Sequence, residues 1–116
     1  MGSNALFFAW NRSVPGRESE SAAHFEEFVG YLTGLQEGGT IESFDVVFLN
    51  AHGGDMNGFF LIRGEPAALS AVMSGDEWVT HMTRAALHLE GAGAIRGSTG
   101  EEVGARMALW GSLIPS

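Results

Sequence analysis

IESFDVVFLNAHGGDMNGFFLIR, residues Ile41 to Arg63, is the segment around which the rest of the chain is arranged. Two apolar, aromatic and β-branched runs flank the Gly-rich segment NAHGGDMNG, and this pattern predicts two strands joined by a long hairpin connection. Side chains alternate across a strand. Phe44, Val46 and Phe48 therefore share one face of the first strand, and Asp45, Val47 and Leu49 share the other. In the second strand Phe59 and Leu61 lie opposite Phe60 and Ile62.

Working outward, Leu6 to Trp10 is a short apolar run ended by Asn11 and the turn at Val14 to Gly16, which predicts a buried strand. Glu18 to Gln36 has helical spacing: Phe25, Phe28, Val29, Leu32 and Leu35 form a stripe, with Ser19 as the expected N-cap. Gly38-Gly39 suits a C-cap. Gly30 and Gly34 weaken such a helix by about 1 kcal/mol each, and close approach to a sheet would explain them. After the hairpin, Pro66 suits the start of a helix carrying Leu69, Val72 and Met73. Ser74 and Glu77 have capping-box spacing for a continuation whose stripe is Trp78, Met82, Ala85 and Leu89. Gly91 to Arg96 reads as a strand of small residues. Thr99 and Glu102 form a second capping box before a final helix with Val103, Met107, Trp110 and Ile114.

The order strand, helix, strand, strand, helix, strand, then an added helix is the ferredoxin-like βαββαβ pattern. The fold class is α+β, residues 1–116 form one domain, and an antiparallel four-stranded sheet carries helices on one face. The other face, read as Phe7, Asp45, Val47, Leu49, Phe60 and Ile62, is too apolar to stay uncovered. Two copies packed sheet to sheet would cover it, so a homodimer is expected, with the C-terminal helix at its rim.

Composition narrows the partners. The hydrophobic share of 45% against 17% charged residues is that of a globular chain with a core. Fourteen acidic residues against six basic ones give a net charge of −8. Such a balance repels phosphate backbones and anionic lipid, so neither nucleic acid nor membrane is an expected partner. There is no cysteine, hence no disulfide, thiolate metal site or cysteine nucleophile. The N-terminal ALFFAW run reads as a strand rather than a leader, no run reaches membrane-spanning length, and a cytoplasmic location is the default.

Arg17 followed by His24-Phe25, Gly39-Thr40-Ile41, NGFFLIRG at Asn57 to Gly64, the helix at Ala67 and Ser74-Gly75-Asp76 carry a resemblance. With these motifs the chain resembles the dimeric α+β barrel superfamily, and within it small bacterial proteins related to the YCII domain. The resemblance spans residues 5 to 97. It implies two ferredoxin-like subunits joined by their sheets, and a histidine–aspartate pair beneath the sheet, with His24 as the counterpart of the histidine and Asp45 the nearest candidate for the aspartate. The wider superfamily includes cofactor-free monooxygenases, isomerases and plain binding modules, so the fold leaves the chemistry open.

His24, near the start of its helix, would be a general base if buried, or a half-exposed boundary residue otherwise. Asp45, between Phe44 and Val46, needs a partner: His24, or an arginine among Arg12, Arg63 and Arg96. His52 and Asp55 in HGGD could orient a ligand, although a hairpin turn calls for the same glycines. No second ligand has metal spacing with His52, and no metal or other cofactor is expected. Glu77, His81, Arg84 and His88 recur at helical spacing and read as a solvated polar stripe. Trp10 and Trp78 are core residues by default; if a cleft lies between sheet and helices, they would line it beside Phe8 and Phe48 and favour a flat apolar ligand. The first functional reading is a dimeric module that binds a small apolar or aromatic molecule. The second is a cofactor-independent monooxygenase or isomerase with His24 as base.

Overall fold

The computed structural model describes residues 2–115. Ten elements follow in order: β1 (Ala5–Trp10), β2 (Arg12–Ser13), α1 (Glu18–Glu37), β3 (Ser43–Phe48), β4 (Gly58–Arg63), α2 (Pro66–Ser74), α3 (Asp76–His88), β5 (Leu89–Glu90), β6 (Gly93–Gly97) and α4 (Glu101–Ser112). The main sheet has the antiparallel order β3-β4-β1-β6, with the expected hairpin forming its β3-β4 edge.

Register sorts the two faces. Phe8 pairs with Phe60 and with Ala94, Leu6 with Ile62, and Val46 with Phe60. Residues directly opposite in a ladder share a face, so Leu6, Phe8, Trp10, Phe44, Val46, Phe48, Phe60 and Ile62 all point toward the helices. Phe60 and Ile62 are buried there, beside Phe28, Leu32, Leu69 and Trp78. The sequence reading had placed both on the open face with Asp45. Their true partners on the helix side are Phe44 and Val46, because the hairpin register sets Phe44 opposite Ile62. The open face instead carries Phe7 and Phe59, whose rings lie 4.9 Å apart, with Val47, Leu61 and Ile95.

Helix α1 buries His24, Phe28 and Leu32, one residue per turn along a single line. The histidine therefore belongs to the buried stripe itself. Gly30 and Gly34 do not mark a close approach: a Cβ at either position would meet nothing within 4 Å. Gly38 caps the C-terminus of α1 and Pro66 opens α2 as expected, but the expected N-caps differ. Arg17, Gly75 and Gly100 stand at the N-caps of α1, α3 and α4, and none supplies a side-chain cap.

Two short elements escaped the sequence reading. β2 and β5 pair antiparallel, Arg12 with Glu90 and Ser13 with Leu89, and Val14 N–H donates to the His88 carbonyl at 2.8 Å. Gly91, at φ 65°, makes the left-handed turn that leads from β5 toward β6. This clip brings Ser13 to the C-terminal end of α3.

Helix α4 buries none of its residues. Val103, Met107, Leu109, Trp110, Leu113 and Ile114 are all exposed, Leu113 to 72%. The radius of gyration is 16.0 Å, with extents of 55 × 37 × 21 Å. A compact chain of this length would have about 13 Å.

Candidate functional site

A cleft of about 440 Å³ lies between the main sheet and α1 and α3. Phe8, Trp10, Phe48 and Phe60 form its sheet side; Phe25 and Phe28 come from α1, and Met82 and Leu89 from the opposite wall. The rings are in contact: Trp10 lies 5.8 Å from Phe60 and 6.2 Å edge-on to Phe48, and Phe25 lies 5.3 Å from Phe48. Tilted and edge-to-face pairs at these separations are the favoured geometry for aromatic clusters. Gly58 makes room for them, since a Cβ there would sit 2.4 Å from Cζ2 of Trp10.

Besides Glu26 of α1, the polar lining is a corner made by Ser13, Ser21, His24 and His88. Ser13 Oγ and Ser21 Oγ are 2.7 Å apart, and Ser21 Oγ lies 2.8 Å from His88 Nδ1. His88 Nε2 lies 2.7 Å from His24 Nδ1, and His24 Nε2 lies 2.9 Å from His81 Nδ1. Two hydroxyls and three imidazoles thus form one continuous hydrogen-bonded chain. His24 and His88 are each only 5% exposed. The His24 and His81 rings are stacked at 5.2 Å, and His88 stands edge-on to His24 at 5.0 Å.

Burial disfavours the charged imidazole. It holds His24 down to about 4, helped by the positive Arg84 and by the neighbouring His81 and His88, while Glu27 opposes the shift. Burial likewise lowers His81, with Arg84 acting in the same sense and Glu27 and Glu77 against. It lowers His88 too; Glu20 opposes, and Arg17 and Arg84 assist. Arg84 and Glu27 pair with each other across α3 and α1.

A neutral imidazole has one donor nitrogen and one acceptor nitrogen. In the His24–His88 contact, either His24 Nδ1–H donates, which leaves His88 protonated at Nδ1, or His88 Nε2–H donates, which leaves His24 protonated at Nε2. The His24–His81 contact repeats the same choice. Only two neutral arrangements satisfy the whole chain: all three rings carry hydrogen on Nδ1, or all three carry it on Nε2. In the second arrangement, Ser21 donates to His88 Nδ1 and His81 presents Nε2–H outward.

The sequence candidates fall in different places. Phe8, Trp10 and Phe48 line the cleft, and His24 stands at its corner with both ring nitrogens already engaged. Trp78 is buried behind Phe28, at 5.8 Å between ring centroids, and is core rather than cleft lining. Asp45 lies on the open face of the sheet, where Arg63 Nη1 donates to it at 3.2 Å, so it cannot orient His24. His52 is exposed in the hairpin connection, where Nε2–H donates to the Met56 carbonyl at 2.7 Å and Nδ1 accepts from Gly54 N–H at 3.1 Å. It closes a turn and takes no part in the cleft. His81 and His88, expected on a solvated stripe, instead meet His24. Their spacing carried the signal: Trp78, His81, Ala85 and His88 recur every three or four residues, the same side of α3 that buries Trp78 and Ala85. Among the described residues no cluster of three or more histidine and carboxylate side chains has metal-holding geometry. The three histidines use different nitrogens of His24 and do not converge.

No protein-family model matches the chain, and no curated protein matches it. Among solved structures it is similar to a dimeric protein of unknown function with a ferredoxin-like fold from Bacteroides fragilis NCTC 9343. The two share 13% identity at a TM-score of 0.57, covering 84% of this chain and 97% of the other. At that identity the likeness concerns the fold, and it agrees with the order and pairing of the strands: the chain has a ferredoxin-like α+β fold.

Proposed function

We propose that the protein is a homodimer whose subunits each bind one small, flat, apolar molecule in the cleft between sheet and helices. The cleft carries this reading: about 440 Å³ lined chiefly by aromatic and aliphatic side chains, with a serine–histidine corner and Glu26 as its polar part. That is the make-up of a small-molecule site, in which apolar area supplies affinity and a few polar atoms set orientation. A suitable probe is 4-nitroanisole, titrated calorimetrically. Wild type binds it, and Ala22→Phe, which fills the lining from an exposed position of α1, weakens binding at least about tenfold. Failure of wild type to bind, or equal binding by the variant, removes the reading.

The dimer rests on surfaces without a cover in one subunit. Ile95 is 65% exposed on the open sheet face, and Trp110 of α4 and Leu113 just beyond it are exposed to 61% and 72%. Large apolar side chains exposed on this scale suit an interface, and the Bacteroides fragilis protein of similar fold is itself described as dimeric. Sedimentation equilibrium at micromolar concentration should give a dimer that Ile95→Glu converts to monomer; a monomeric wild type contradicts the proposal.

The second reading, a cofactor-independent monooxygenase or isomerase, draws on the histidine chain at the polar corner. Kinship with YCII-related proteins belongs to the same reading, through the motifs around Arg17, His24 and Phe25. It lacks their aspartate partner, because Asp45 is engaged by Arg63 on the opposite face. Nor is His24 free to act as a direct base, since both its nitrogens are bonded. Chemistry at this corner would reach the imidazoles through Ser21.

A further inference from the structure

We propose that Ser21, His88, His24 and His81 form a proton relay that accepts the proton of an acidic hydroxyl on the cleft ligand and passes it out of the cleft. This rests on the cleft-binding reading and narrows its ligand class to small aromatic molecules bearing a phenol or enol group.

The geometry gives the relay an inner end, an outer end and no gap. Ser13 and Ser21 both line the cleft with their hydroxyls 2.7 Å apart, and Ser21 Oγ is the one bonded to an imidazole nitrogen, so a ligand hydroxyl joins the relay there. Each later link is between 2.7 and 2.9 Å. At the far end, His81 is partly exposed, and its Nε2 has no partner among the described hydrogen bonds. The relay starts with all three rings protonated on Nε2. The ligand O–H gives its proton to Ser21 Oγ as Ser21 O–H gives its own to His88 Nδ1. His88 Nε2–H then passes to His24 Nδ1, His24 Nε2–H passes to His81 Nδ1, and His81 Nε2–H leaves to water. Every ring ends neutral and protonated on Nδ1. One proton has left, and the ligand oxygen, now an anion, accepts the Ser21 hydroxyl. No bond other than O–H and N–H is made or broken.

This sequence avoids a charged histidine in a buried site. That matters because the two buried members are 5% exposed and cannot keep a proton cheaply. The charges facing the chain are few. Arg84 and Glu27 flank His24 and His81; Glu77 and Tyr31 stand beside His81; Arg17 and Glu20 lie near His88. The arginines are spent in ion pairs, Arg84 with Glu27 and Arg17 with Glu20. Burial and the Glu26 carboxylate in the cleft lining oppose the ligand's negative charge, and no free cation of the described residues stands at the corner, so the oriented Ser21 hydroxyl, backed by His88 Nδ1–H, must outweigh both for the anion to form.

The test uses 4-nitrophenol, whose phenolate is coloured, against 4-nitroanisole, which has the same ring and no proton to lose. About one pH unit below the solution pKa of the phenol, most of the wild-type-bound probe should be phenolate, with about one proton released per molecule bound. His81→Phe keeps a ring against Tyr31 but removes the exit, so ionisation would strand a proton on His24. It should bind 4-nitroanisole as wild type does, while its phenolate share falls about tenfold. Ser21→Ala, at the entry, alters the cleft lining itself, so its phenolate share is read among bound molecules only and should fall likewise. Bound probe that stays neutral in wild type, or an unchanged phenolate share in both variants, overturns the relay. If neither probe binds, the cleft reading fails, and the relay is then judged on the free protein. Imidazole ¹⁵N spectra at about pH 6 must show the three histidines neutral and in one common tautomer, and mixed tautomers or an imidazolium among them overturn it.

Discussion

Lowering the pH from about 7 to about 5 should cost the fold about 2 kcal/mol through His24 alone. In the native state this imidazole is held down to about 4, chiefly by burial, whereas in the unfolded chain it regains a value of about 6.5. Between those values the unfolded state takes up a proton that the native state refuses. The stabilisation is therefore complete above about 6.5 and is lost as the pH falls toward about 4. His24 is 5% exposed, so solvent screening takes little from this effect. His81 and His88 are lowered in the same direction and can only steepen the slope. Stopping at about pH 5 leaves most carboxylates ionised, which separates the histidines from general acid unfolding. For a domain of this size, 2 kcal/mol corresponds to a Tm lower by roughly 8 °C. The assay is thermal denaturation followed by circular dichroism in steps of half a pH unit, on wild type and on His24→Gln. The glutamine variant should be less stable throughout but clearly flatter with pH. A wild-type Tm that holds or rises on acidification, or a variant with the wild-type slope, refutes a buried neutral His24.

Three further perturbations test the site's boundaries. Gly58→Ala places a methyl 2.4 Å from the Trp10 ring, which should turn the indole, shift its fluorescence and cost about 1–3 kcal/mol; an unshifted emission maximum argues that Trp10 does not depend on Gly58. Asp45→Ala, separated from the cleft by the sheet, should leave 4-nitroanisole affinity within about twofold, and a tenfold loss would restore the carboxylate to the site. His52→Ala removes only turn hydrogen bonds from an exposed loop and should change stability by about 0.5 kcal/mol or less; loss of ligand binding would contradict that assignment.

Much of the architecture could be read from periodicity. The alternation in β3 and β4 and the stripe of α1 depend on residues that are apolar beyond ambiguity, such as Phe44, Phe60, Phe28 and Leu32. What periodicity could not supply was register. Either face of β4 is apolar, so Phe59 and Phe60 were interchangeable until the pairing of Phe44 with Ile62 was known. β2 and β5 are two residues each, too short to show a period.

The site was legible in its apolar half. Phe8, Trp10 and Phe48 are the aromatics expected to line any cleft left between sheet and helices, and they do line one. The polar half was hidden by a convention: histidine was counted with the polar residues, so His81 and His88 were assigned with Glu77 and Arg84 to a wet face. Their three- and four-residue spacing from Trp78 and Ala85 put them on the buried side of α3, and His24 likewise sits four residues before Phe28. Asp45 misled for the opposite reason. It stood out among apolar neighbours, yet alternation sends its side chain to the face where Arg63 waits.

The most direct measurement is a crystal structure of the protein with 4-nitrophenol. The ring should lie between Trp10, Phe25 and Phe48, with its oxygen within hydrogen-bond reach of Ser21 Oγ and the histidine chain intact behind it. A ligand bound elsewhere, an empty cleft, or a hydroxyl turned away from Ser21 toward solvent would contradict the cleft-and-relay reading.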